Sequence, residues 1–128
     1  MFLHQGDIQV AKIERLPDGV QQADPFVVRS EVSGNVHFFA AECGEYFKDN
    51  AGNTYVNLPK GGVLVHTHET LLNTIVEERL APEELAQQIV EKGLYRDHLP
   101  IVMSPGIYLL GRHTMYDPAS GLQRQVID

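Results

Sequence analysis

Short runs of β-branched and aromatic residues, separated by turns of Gly, Pro and Asn, constrain the fold of this chain most. Residues 36–40, 54–58 and 62–65 are clear examples, and such runs are typical of strands. The loop at residues 49–53 gives the clearest hairpin signal, because Asn and Gly tolerate the positive φ that hairpin loops require. The pattern predicts a mainly β chain that forms a small barrel or a jelly-roll-like sandwich. Residues 21–25 are predicted as a loop, and the other predicted strands lie at residues 8–14, 26–32, 45–48, 99–103, 106–116 and 122–127.

A helical insertion interrupts these strands at residues 70–96. Apolar residues recur at helical spacing from Leu71, and a second helical run begins at Pro82 and ends at Gly93. Proline is tolerated in the first turn of a helix, and glycine is favoured just beyond its last turn. We therefore expect one or two helices around residues 71–93, which either cover the β scaffold or make an oligomer contact.

Composition and charge narrow the classes of partner. The chain fits a single domain at residues 1–128, and its net charge of −7 without any basic run argues against nucleic acid as a partner. Cys43 is the single cysteine, which excludes an internal disulfide and suits a reducing compartment. The first residues lack the pattern of a signal peptide, and no apolar run is long enough to span a bilayer. We expect a cytoplasmic protein without a membrane partner.

The pair His66 and His68 is the strongest chemical signal. Both follow the strand-like run of residues 62–65, so in a strand they share one face with their backbones about 7 Å apart. Two imidazoles on one face can bind one divalent transition metal ion, most often zinc, together with a third ligand. His98, which begins the strand after the insertion, is the preferred third ligand, and His37 on another strand is the next candidate. The alternative is that the pair consists of ordinary strand residues that face solvent or make hydrogen bonds.

Two functions of different kinds follow from these features. One is a module that binds a metal ion or a small ligand through the histidine cluster. In a metal-dependent enzyme, Glu69 or Glu42 would be the candidate general base. The other is a structural module that forms a homo-oligomer through its helical insertion. The sequence identifies no catalytic residue and no substrate.

The strand with His66 and His68 is similar in architecture to the cupin metal motif, in which two histidines on a barrel strand precede a glutamate and a later histidine. Here Glu69 follows His68 immediately, and Pro105-Gly106 is followed by Ile107 instead of leading to a histidine.

A broader resemblance covers most of the chain outside the insertion. The motifs that carry it are His4-Gln5-Gly6-Asp7-Ile8 and residues 33–37, 67–69, 98–101, 105–108 and 116–118. They resemble a group of small bacterial and phage-associated β proteins without an assigned activity. That group opens with Gln-Gly-Asp-Val, carries Thr-Gly-His-x-His and Thr-His-Glu-Glu-His-x-Pro-Ile, and closes with Pro-Gly-x-Tyr and Arg-Gln-Arg-Glu-Tyr. The resemblance places His37, His68 and His98 at histidine positions of the group. Asn35 stands where the group has a further histidine, and His113-Thr114-Met115 replaces Gln-Arg-Glu.

Overall fold

The computed structural model describes the backbone of residues 2–6, 8–30, 32–112, 114–117 and 122–125. These residues form twelve strands and two α-helices, and a short 3₁₀ turn at Glu69–Leu71 precedes the first helix. The strands are β1 (Phe2–Gln5), β2 (Ile8–Ile13), β3 (Gln21–Gln22), β4 (Val27–Arg29), β5 (Asn35–Ala40), β6 (Glu45–Lys48), β7 (Thr54–Leu58), β8 (Gly62–His68), β9 (Ile101–Met103), β10 (Gly106–Arg112), β11 (Thr114–Asp117) and β12 (Leu122–Gln125). The helices are α1 (Leu72–Val76) and α2 (Pro82–Glu91).

Two antiparallel sheets make up the body of the fold. The larger has the strand order β1-β2-β10-β7-β6-β3, and the smaller has the order β4-β5-β8-β9. Strands β11 and β12 pair with each other as a separate hairpin. The two sheets do not close on each other, so the described chain is a sandwich rather than a barrel. The predicted mainly β fold with a helical insertion is confirmed.

The first core lies between the two sheets. Side chains alternate along each strand, so every second residue of both sheets faces inward. Leu64 of β8 and Phe39 of β5 point to the same interior as Val10 of β2 and Tyr108 of β10. The buried members of this core are Ile8, Val10, Val28, Phe39, Val56, Leu58, Leu64, Met103, Tyr108 and Leu110.

The second core lies on the outer face of the four-stranded sheet, under the helical insertion. The residues of β5 and β8 that do not face the sandwich interior pack there against both helices. The buried members are Val36, Phe38, Ala40, Val63, Val65, Ile75, Leu85 and Ile89. The molecule therefore has three layers, and the apolar faces of the helices are buried against their own sheet.

The ends of the helices follow from local chemistry. Gly93 has a positive φ of 63°, and its N–H donates to Val90 while the N–H of Leu94 donates to Ile89. This pair of hydrogen bonds is a Schellman motif, in which glycine is favoured at the residue with positive φ. Helix α1 ends at Val76, although apolar residues continue at helical spacing as far as Leu80. Proline disfavours the helical region for the residue before it, so the chain is extended ahead of Pro82.

Two short strands were not predicted from the sequence, and a third is shorter than predicted. Strand β1 was not predicted, and β3 lies in a predicted loop. Strand β4 covers only three of the seven residues predicted at 26–32. The predicted strands at 106–116 and 122–127 include residues 113, 126 and 127, which lie outside the described residues. Among the residues that the structure describes, no helix is both long and apolar enough to cross a membrane.

The packing of α2 can be tested with two neighbouring residues. Ile89 is 1% exposed in the outer core, whereas Val90 is 45% exposed on the same helix. We expect Ile89→Ala to lower the free energy of unfolding by about 2–5 kcal/mol, because it leaves a cavity. Val90→Ala is the matched control and should cost about 0.5 kcal/mol or less. Chemical denaturation measures both, and equal small losses would show that α2 does not pack on the sheet.

Candidate functional site

The site begins with a pair of histidines on neighbouring strands. His37 of β5 and His66 of β8 lie directly opposite each other in the antiparallel register. Both side chains share a face with Leu64 and Phe39, so they point into the sandwich. His37 is 3% exposed and His66 is 1% exposed. Two imidazoles are thus held side by side in the interior by the pairing of two central strands.

A third histidine reaches the pair from the segment that follows the helices. The N–H of Arg96 donates to the carbonyl of His66 at 2.8 Å, which extends the pairing of β8 beyond β9. The hydroxyl of Thr67 donates to the carbonyl of Leu94 on the same segment. Asp97 has a φ of 59°, a left-handed conformation that Asp tolerates better than most residues. The chain therefore turns at Asp97 and brings His98, which is half-buried, next to His66.

The three rings form one contact cluster with His66 in the middle. His37 and His66 stack with ring centroids 4.1 Å apart and planes 9° from parallel. The His66 and His98 rings are 5.0 Å apart and tilted by 34°. The His37 and His98 rings are 6.3 Å apart. Three of the four histidines predicted as ligands are thus brought together, and we call His37, His66 and His98 the histidine cluster.

Gln5, at the end of β1, joins the histidine cluster from the opposite sheet. It is 2% exposed, and its amide oxygen lies 3.0 Å from Nδ1 of His37. Its amide nitrogen donates to the carbonyls of Leu64 and Leu99, both at 2.9 Å. Sequence reasoning did not single out Gln5. The available signal was its place in the motif next to Gly6, which has a φ of 59° in the β1–β2 turn.

The structure places His68 outside the histidine cluster. Its Nδ1 accepts from the backbone N–H of Thr70 at 3.3 Å and lies 2.9 Å from the Thr70 hydroxyl. His68 is thus the N-cap of the 3₁₀ turn at Glu69–Leu71. Its Nε2 lies against Gly34, where an added Cβ would be 2.9 Å from that nitrogen. The strand rule gave His66 and His68 the same face, but the chain leaves β8 at His68 and the ring caps the following turn.

Three imidazoles are ligands that suit a divalent transition metal. In their present orientations, however, the three rings do not form a coordination site. An imidazole binds a metal through a lone pair in its ring plane, at about 2.0–2.1 Å. An ion in the plane of His66 lies outside the plane of His37, because the rings are nearly parallel. Among the described residues, no group of three His, Cys, Asp or Glu side chains is arranged to hold an ion. Ligation would require the rings to rotate about their side-chain bonds.

The carboxylates considered as general bases have other partners. Glu69 lies 3.3 Å from Arg29, and both side chains are more than half exposed. Glu42 lies 3.4 Å from Lys60 in an equally exposed pair. Exposed ion pairs of this kind contribute little to stability. Neither pair supports a general-base role at the histidine cluster.

The fold and this site define a small antiparallel β-sandwich, covered by two helices on one side, with three histidines clustered between its sheets. The chain belongs to the family described as a domain of unknown function, DUF8820, whose family model matches residues 4–113. The matched region includes Gln5 and all three cluster histidines. No curated protein matches the sequence, and no solved structure matches it.

The contact between His68 and Gly34 predicts a difference between two glycines. Gly34 and Gly52 both have positive φ, at 74° and 86°, but an added Cβ at Gly52 meets nothing within 4 Å. We expect Gly52→Ala to cost about 1–2 kcal/mol for the backbone strain alone. Gly34→Ala should cost more, because its methyl group also displaces the His68 ring. Chemical denaturation measures the free-energy cost of both glycine substitutions, in wild type and in a His68→Ala background. If the two glycine substitutions cost the same in wild type, the contact has no energetic role.

Proposed function

We propose that this domain binds one divalent transition metal ion, with zinc the first candidate, through His37, His66 and His98. The observation that carries the proposal is the convergence of three imidazoles from three separate segments inside the sandwich, with ring centroids 4.1–6.3 Å apart. Three neutral imidazoles are a donor set that zinc favours. Centroids of imidazoles on one tetrahedral zinc are about 5 Å apart, so the cluster already has the right scale.

The proposal uses three of the four histidines that the sequence predicted. His68 is left out because its Nδ1 lone pair faces the backbone N–H of Thr70. The backbones that carry His37 and His66 are already fixed by direct strand pairing. The proposal therefore requires the His66 and His98 imidazoles to rotate about their side-chain bonds toward an ion bound by His37, whose ring stays hydrogen-bonded to Gln5. Three protein ligands would leave one coordination position for a water molecule or a ligand atom.

Zinc binding to purified, metal-stripped protein tests the proposal. Titration calorimetry should find one zinc per chain. Zinc should also raise the free energy of unfolding, by about 2.7 kcal/mol when the free metal is 100 times the dissociation constant. His66→Ala and His98→Ala should abolish most of this stabilisation, because each removes a ligand. His68→Ala and His4→Ala are the matched controls, since His68 caps a turn and His4 is exposed.

Two outcomes would contradict the metal site. One is wild-type protein that neither binds zinc, cobalt or nickel nor gains stability from them. The other is metal binding that His66→Ala and His98→Ala retain and His4→Ala or His68→Ala removes. The second outcome would place an ion at His4 or His68 instead of at the histidine cluster.

A cavity of about 540 Å³ favours a small organic ligand as the second candidate. It lies between the ends of β5 and β8 and the helical insertion, away from the histidine cluster. Val76, Leu80 and Leu85 give it apolar walls, and the Lys60–Glu42 pair lies at its edge. Its volume falls in the range of ligand pockets. Leu80→Trp, which fills this space, should abolish small-molecule binding detected in a fragment screen by NMR, without affecting zinc binding.

The homo-oligomer stays a prediction, as do the bacterial or phage-associated origin and the cytoplasmic location. Leu85 and Ile89 belong to the outer core, so deletion of the insertion would expose the sheet beneath it. Val76 and Val90 are 53% and 45% exposed and are the large apolar residues of α1 and α2 that face away from the outer core. If the insertion makes an oligomer, a Val76→Ser/Val90→Ser variant should dissociate in analytical ultracentrifugation. An unchanged sedimentation profile would contradict that interface.

A further inference from the structure

The side-chain amide of Gln5 contacts the ring of His37 and the backbone next to His66 and His98. Its oxygen contacts Nδ1 of His37, and its nitrogen donates to Leu64, two residues before His66, and to Leu99, the residue after His98. These contacts join segments that are 32, 59 and 94 residues from Gln5 along the chain. One buried side chain thus ties together β1, β5, β8 and the segment that precedes β9.

The orientation of this amide is fixed by its partners. Both groups next to the amide nitrogen are backbone carbonyls, which only accept hydrogen bonds. A flipped amide would place its oxygen against two carbonyl oxygens and leave at least one of its N–H groups without an acceptor, which is costly. The nitrogen must therefore face Leu64 and Leu99, so the oxygen must face His37.

The fixed amide in turn decides the tautomer of His37. The amide oxygen can only accept, so Nδ1 of His37 must carry the proton and donate to it. In the neutral imidazole the lone pair is then on Nε2. Histidines that bind metals commonly donate their second ring N–H to an oxygen of this kind, which fixes the tautomer and the ring orientation.

We infer that Gln5 is the positioning residue of the histidine cluster: it holds His37 as the Nδ1–H tautomer and aligns the segments that carry His66 and His98. The naming of Nε2 as the ligand atom of His37 rests on the proposed metal site. The tautomer and the alignment do not depend on it. Glutamine alone among the amino acids of this length offers two N–H donors and one oxygen acceptor without a charge.

Two substitutions of Gln5 distinguish the role of its amide oxygen, which accepts from His37, from the role of its two N–H donors. Gln5→Glu keeps an oxygen for His37 but loses both N–H donors at neutral pH. Gln5→Met has a similar length and loses the acceptor as well. Gln22→Met is the matched control, because Gln22 is an exposed glutamine of β3. This strand is at the opposite edge of the six-stranded sheet from β1, which carries Gln5.

The measurement is two-bond ¹H–¹⁵N NMR on ¹⁵N-histidine-labelled, metal-free protein. The pH is more than one unit above the ordinary histidine pKa of about 6.5, so that the rings are mainly neutral. His37→Gln assigns the signals. We expect wild type, Gln22→Met and Gln5→Glu to show His37 protonated at Nδ1, and Gln5→Met to show a mixture of tautomers. Zinc affinity should fall about 10–100-fold in Gln5→Met, as is usual when the partner of a ligating histidine is removed.

The outcomes distinguish this inference from the metal proposal. Wild-type His37 protonated at Nε2 would overturn the inference directly, even if no Gln5 variant folded. An unchanged His37 tautomer in folded Gln5→Met would overturn it as well. If the tautomers behave as expected and wild type binds no zinc, the metal proposal fails and the positioning role of Gln5 stands.

Discussion

The burial of His37 and His66 between two sheets is the constraint around which the rest of the structure is arranged. Interior polar groups are costly unless they have partners, and a β-sandwich interior offers mainly apolar side chains. The register that pairs β5 with β8 places these two rings in direct contact. Gln5 then supplies a buried polar partner from the opposite sheet. The site is therefore a polar region in an otherwise apolar core, held by main-chain pairing on one side and by a single amide on the other.

The helical insertion supports the strands that carry the site. The two helices bury the outer face of β5 and β8, so these strands are covered on both faces. A slip by one residue would move Val65 inward and His66 under the helices, which would be unfavourable on both faces. The outer core thus enforces the register that keeps His37 opposite His66. The chain that leaves α2 also supplies the turn at Asp97 that delivers His98.

Much of this architecture could be predicted because the signals are local. Residues 45–48 and 54–58 form the predicted strands, and α2 begins at Pro82 and ends before Gly93 as proline and glycine chemistry requires. Strand β1 was missed because it is short and half polar, and only its pairing with β2 makes it a strand. Propensity contains no information about such pairing, which is decided by the fold.

Part of the site could also be predicted, because some of its signals are local. Alternation along a strand identified His66 as a candidate ligand but placed His68 on the same face, and the position of His98 just after the insertion indicated that it could return to the strand of His66. Alternation could not show that His68 would cap the next turn, because the capping bond depends on where β8 ends. Nor could it show Gln5, whose three hydrogen bonds come from tertiary packing alone. Residue type and spacing thus identify candidates, whereas docking of the two sheets decides which of them meet.

The distribution of the site along the sequence ties its formation to folding of the whole domain. Gln5, His37 and His66 come from three strands in two sheets and His98 comes from the segment that precedes β9, so no two of the four are near neighbours in the chain. Loop closure makes such long-range contacts unfavourable until the strands between them are in place. The unfolded chain therefore cannot present these groups together, so a ligand of the histidine cluster would bind the native state selectively and stabilise it. Reciprocally, a substitution that loosens either sheet weakens the site without altering any of its four side chains. The outer core is distant from the rings but packs on β5 and β8, so its packing contributes to the geometry of the histidine cluster.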